Sequence, residues 1–228
     1  MIGFAPGIDL PYSAHVGQSE IPFSSAARNL GVIFDSELAL KEQVNKLCQL
    51  AYLEIRLIGS IGQQLSTEAT RSLLSSLVLS RLEWCNAFLV GSPQIPPDRI
   101  QRAINCSTRL ISKAPKSAHI TSKLNDFYWL PISIWIQYKI ALACFLTVLG
   151  SSDISELLRL YSSSSSLRSA SDTRIFRVPR VCRRTLWERS FQYIGPVIWN
   201  SLPFSARHAS SLSFFKSKLK NHLFSSAY

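Results

Sequence analysis

The segment from about 97 to 113 constrains the fold more than any other stretch, because it carries two distinct faces. Ile100, Ile104, Ser107 and Ile111 recur at helical spacing and form one apolar stripe. Arg99, Arg102, Arg109 and Lys113 fall 3, 7 and 4 residues apart and form a second, cationic stripe. Pro97 suits the first position of such a helix. A helix built this way rests on a core with one side and can lay cations along a phosphate backbone with the other.

The same helical period recurs along most of the chain. Over 40–61, Val44, Leu47, Ala51, Ile55 and Ile58 share a face. Ser66 or Thr67 caps a second helix with Leu73, Leu74, Leu77 and Val78 inward, which continues through RLEWCNAFLVG until Gly91 and Pro93 stop it. After the loop APKSAHITSKL, a cap at Thr121 or Ser122 opens a short helix, and Leu130-Pro131 breaks the chain. An apolar helix then spans about 132–149. At the end, Leu212, Phe215, Leu219 and Leu223 form the inner face of a helix with Lys216 and Lys220 outward, preceded by GPVIWNSLP as a turn.

The front of the chain breaks this pattern. In AARNLGVIFD, Arg28 and Asn29 precede a compact apolar run closed by Asp35, the mark of a short strand, with Gly31 at a bulge or a close backbone approach. The preceding VGQSEIPFSS also reads as strand and turn. Serines crowd 151–171, and TRIFRVPRV beyond them looks extended. The expected fold is therefore mainly α, with a β-hairpin at the N-terminus, a helical bundle and a small mixed α+β C-terminal region. Its expected divisions are 1–38, 39–150, a Ser-rich linker at 151–173, and 174–228.

The formal net charge of +11 is uneven. Residues 1–40 hold Arg28 against Asp9, Glu20, Asp35 and Glu37, whereas 131–228 carry thirteen basic residues against four acidic ones. That excess suits a polyanion. Arg174, Arg177, Arg180, Arg183 and Arg184 lie among Phe176, Trp187, Phe191 and Tyr193, an interleaving of cations and stacking surfaces that suits a single strand.

Catalytic signals are missing. The six aspartates and eight glutamates include no DD or DxD pair for metal-assisted phosphoryl chemistry, and no GxSxG or GxxxxGK[ST] motif occurs. Cys48, Cys85, Cys106, Cys144 and Cys182 form no CxxC pair, and the four histidines are scattered, so no metal or other cofactor is expected. The apolar run at 140–149 is well short of the roughly 20 residues that span a bilayer. With no signal-peptide pattern at the N-terminus, the expectation is an intracellular protein, nuclear or cytoplasmic, with no membrane partner.

Five stretches in order carry a resemblance: ARNLGVIFDSELALKEQVNKLC, LSTEATRSLLSSLVLSRLEWCNAFLVGSP, RIQRAINCSTRLI, HITSKLNDFYWLPISIWIQYKI and GPVIWNSLPFSARHASSLSFFKSKLKNHLF. Together they resemble the C-terminal part of non-LTR retrotransposon (LINE) reverse transcriptases of the jockey-like and chicken-repeat-like clades, from about residue 20 to the end. Within them Glu83-Trp84 stands where the family usually has Asp-Tyr. The resemblance implies that Leu30, Gly31, Val32 and Asp35 occupy primer-grip positions. It makes the helices at 40–61, 67–90 and 97–113 a thumb that holds a template–primer duplex. It also implies that the catalytic aspartates lie upstream of this sequence, so that the chain is a non-catalytic fragment. It would bind RNA–DNA or DNA duplexes, or a single strand, with the missing palm and fingers of a parent polymerase as a partner in trans.

Overall fold

The structure, a computed structural model, describes residues 13–22, 24–36, 39–84, 86–90, 98–150, 156–160, 174–180 and 187–228. It is mainly α-helical, and the chain divides into two units, Met1–Lys123 and Leu124–Tyr228. The division falls ahead of the Ser-rich stretch. The long apolar helix belongs with the C-terminal helices, because its aromatic and apolar side chains find their partners there.

Unit 1 opens with two antiparallel hairpins, β1 (Ser13–Val16) with β2 (Ser19–Pro22) and β3 (Ala26–Asn29) with β4 (Val32–Asp35). Asn29 pairs with Val32, so Leu30 and Gly31 form the two-residue loop. Both have positive φ, 47° and 86°, as a loop matching the right-handed twist of its strands requires. This corrects the expectation of a strand running through Leu30 and Gly31. Arg28 and Asn29 are themselves strand residues, and Gly31 serves the turn rather than a bulge.

The second hairpin is tied to the first helix, α1 (Lys41–Ile61). Val32 is buried at 2% exposure. The Asp35 carboxylate accepts the Ala39 N–H at 2.6 Å, and the buried Gln43 side chain accepts the Ile33 N–H at 3.0 Å. Leu40 turns the chain into α1 at φ 54°, a left-handed conformation unusual for a branched side chain, and its own side chain is buried.

Beyond α1, Ser66 caps α2 (Thr67–Leu73) by accepting the Ala69 N–H at 3.1 Å. The helix widens into a π segment, Leu74–Leu79, and closes as α3 (Ser80–Glu83). One extra residue per turn lets Leu74, Val78, Leu79 and Leu82 all face inward. The helix does not run on to Gly91. Trp84 adopts extended backbone angles, and a short 3-10 turn takes up Asn86–Leu89. Then α4 (Asp98–Ser112) packs against α1 and buries Ile100, Ile104, Ser107 and Ile111, the stripe read from the sequence, together with Ala103 and Thr108. Helix α5 (Thr121–Asp126) follows, with the unit boundary inside it.

In unit 2, α6 (Ile132–Val148) packs against α7 (Phe191–Ser201) and α9 (Leu212–Ala227), with α8 (Phe204–Arg207) beside α9. Its centre is aromatic. Phe145 and Phe215 stack at 4.1 Å, and the fully buried Trp199 lies 5.8 Å from Phe215 and 5.7 Å from Phe176. GPVIWN is helical here, not a turn. Gly195 lets α7 approach α6 closely, since a Cβ there would sit 3.3 Å from the Cys144 sulfur. Phe215, Leu219 and Leu223 are the buried residues of α9, as the sequence pattern requires.

Cys144 is fully buried, and burial pushes its thiol up to about 12. Iodoacetamide at about pH 8 should leave Cys144 unmodified in the native protein and alkylate it after unfolding, since the thiolate is the reactive form. Peptide mass spectrometry reads this directly, and native-state labelling of Cys144 would contradict the core described here.

Candidate nucleic-acid interface

Helix α4 is held by its apolar stripe, which turns Arg99 and Arg102 to solvent. The Arg99 guanidinium donates to the Asn45 side-chain oxygen on α1. Tyr52, seven residues after Asn45, lies on the same flank of α1 and is 39% exposed. Burial raises the Tyr52 phenol above its ordinary value and the Cys106 and Cys48 thiols push the same way, while Arg102 and Arg99 pull it back. The ring therefore stands within electrostatic reach of both guanidiniums. Arg56, four residues further along α1, shares this exposed flank. A surface of this kind can contact phosphates and offer one ring to a base or sugar.

The other two cations of the expected stripe leave it. Arg109 is half-buried and reaches back to the Ala118 carbonyl at 3.5 Å, with its Nε enclosed. Lys113 lies past the end of α4 at φ 52°, where the Ala114 N–H bonds the Arg109 carbonyl and ends the helix in a Schellman-type cap. From there it edges a cleft of about 340 Å³ beside Gly59, Gly62 and Thr67. Helical spacing alone could not anticipate either displacement, because both arise from the loop that folds back after the helix.

At the hairpin, Leu30 is 87% exposed at the turn with Gly31. Val32 and Asp35 are engaged in joining the hairpin to α1.

In unit 2 the arginines separate by role. Arg174 turns inward, donating to the carbonyls of Arg207 and Ala209 at 3.1 and 3.2 Å, so it braces the fold. Arg177 and Arg180 are exposed. Arg183 and Arg184 lie outside the described residues. A pocket of about 680 Å³ brings Arg159 beside Arg177 and Arg180. Sequence reasoning missed Arg159, since only the bridge between Leu160 and Phe176 sets it opposite Arg177. It missed Tyr52 too, although its place one residue beyond Ala51 on the inner stripe was a usable sign.

Among the described residues, no group of three or more His, Cys, Asp or Glu is placed to hold a metal ion. Among them, too, no helix is long and apolar enough to cross a membrane. No family model, curated protein or solved structure matches the chain.

Proposed function

We propose that this chain binds nucleic acid through its phosphate backbone without reading sequence, and that it performs no catalysis by itself. In this reading it is the primer-grip, thumb and post-thumb part of a non-LTR retrotransposon RNA-directed DNA polymerase, and the α1–α4 surface lies along a template–primer duplex. The observation that carries the reading is the grouping of exposed Arg99 and Arg102 with Tyr52 on a helix pair fixed by a buried apolar seam. The helix pair fixes where both cations emerge, and the bond to Asn45 holds Arg99 further, which lowers the freedom lost on meeting a phosphate.

Fluorescence anisotropy with a primer–template duplex over a salt series tests it. Replacing Arg99 and Arg102 together by Ala should flatten the plot of log affinity against log salt by about 1.8, at about 0.9 for each lost phosphate contact. Both side chains are exposed, so the helical circular dichroism should not change. An unchanged slope with an intact fold would refute the assignment.

One feature favours a second reading, a helical module that binds another protein. Leu50, Leu53, Leu57 and Ile61 run along α1 at helical spacing and are 39 to 55% exposed. A folded chain that bound no duplex even at low salt would favour it.

A further inference from the structure

We infer that unit 2 holds its own site for an unpaired nucleic-acid strand, with Arg159, Arg177 and Arg180 taking phosphates and Leu157, Val178 and Pro179 forming the wall for a base. The inference rests on the nucleic-acid reading and adds a second site with a different preference.

Arg177 and Arg180 sit on a segment that has no regular secondary structure yet is anchored at Arg174, Phe176 and Arg177. The Asn200 amide clamps Phe176, donating to its carbonyl at 2.8 Å and accepting its N–H at 3.0 Å. The Trp199 indole donates to the Arg174 carbonyl at 2.6 Å, and the Arg177 N–H to the Arg159 carbonyl at 2.9 Å. The Phe176 ring is buried in the aromatic core. The stretches 156–160 and 174–180 are thereby fixed side by side, with Arg159, Arg177 and Arg180 exposed.

Charge points to the ligand. Arg159 and Arg177 face one another across the bridge between Leu160 and Phe176. Like charges placed opposite each other are unfavourable, and among the described residues the pocket lining contains three arginines and no carboxylate. An anion entering between them would relieve that repulsion. Shape selects among anions. The pocket is concave and half apolar, and its volume of about 680 Å³ admits a nucleotide-sized group. A base-paired duplex keeps its bases stacked inside and offers only a ridge of phosphates. An unpaired nucleotide can set its phosphate on the guanidiniums and its base against the apolar wall. Gln192, exposed at the rim, supplies an amide that can both donate to and accept from a base edge.

The experiment compares a short oligothymidylate with a blunt duplex, using wild type, the triple variant Arg159→Gln/Arg177→Gln/Arg180→Gln, and Arg99→Ala/Arg102→Ala. The triple variant should lose roughly tenfold or more in single-strand affinity and flatten its salt slope by about 2, at about 0.7 per phosphate on a single strand. Its duplex affinity should hold, while Arg99→Ala/Arg102→Ala should show the converse. Arg177→Gln alone should leave the melting temperature unchanged or raise it, because it relieves repulsion. A clear fall would make the arginine structural and overturn the site. Retained single-strand affinity in the triple variant, with wild type binding both ligands, would overturn the pocket alone. Wild type binding neither ligand would remove the nucleic-acid reading and the pocket with it. Polyglutamate competing as well as the oligonucleotide would show a site for acidic protein segments and equally refute the inference.

Discussion

Replacing Trp199 by Ala should cost unit 2 about 3–5 kcal/mol, much of the 5–15 kcal/mol that typically holds a domain together. The indole is fully buried among Phe145, Phe176 and Phe215. Phe145 and Phe215 already stack on each other, so neither can swing into the vacated space without giving up that contact. The Arg174 carbonyl would also lose the donor that fixes it. Thermal unfolding followed by near-ultraviolet circular dichroism should show a large fall in melting temperature. Single-strand binding should fall with it, because Trp199 and Asn200 anchor the segment that presents Arg177 and Arg180. A melting temperature within a degree or two of wild type would mean that the aromatic cluster is not the core of this unit.

The second large effect belongs to unit 1. Ile100→Asp should destabilise it by more than about 4 kcal/mol, the range in which burying an unpaired charge falls. Ile100 is fully buried on α4, which packs against α1 and also buries Ala103, Ile104 and Ile111. Helicity should drop and duplex binding should disappear, since Arg99 and Arg102 are exposed on the face that this packing orients. Arg99→Ala/Arg102→Ala, in contrast, should weaken binding with helicity intact. If Ile100→Asp left the helical signal unchanged, the apolar stripe of α4 would not be what holds that helix.

The helices were the legible part of the sequence, because burial on one face imposes a period that survives in the residues themselves. Helices α1, α4, α6 and α9 fall within a few residues of their expected spans. What escaped depends on contacts that periodicity does not encode. Leu30 takes a left-handed turn conformation more typical of Asn or Gly, so the hairpin loop looked like strand. Gly195 and Pro196 signalled a turn, yet they lie within α7, where the missing Cβ admits Cys144. The helix after Ser66 stops at Glu83, well before Gly91 and Pro93, the breakers that were visible. Of the candidate interface, Arg99 and Arg102 could be read from spacing. The inward turn of Arg174 and the arrival of Arg159 required the tertiary fold.

The Gln43 side chain has a further consequence. In the β3–β4 register Ile33 lies across from Arg28, one step from the hydrogen-bonded pair at the loop, so its N–H points away from β3 toward the outer edge of β4. An open strand edge is a template on which another chain can add a strand, and such additions start aggregates. Gln43 occupies that N–H from within the molecule, so α1 does for β4 what a neighbouring strand would do in a larger sheet. One outward-facing N–H of a two-stranded ribbon is thereby closed to strand addition by one buried amide.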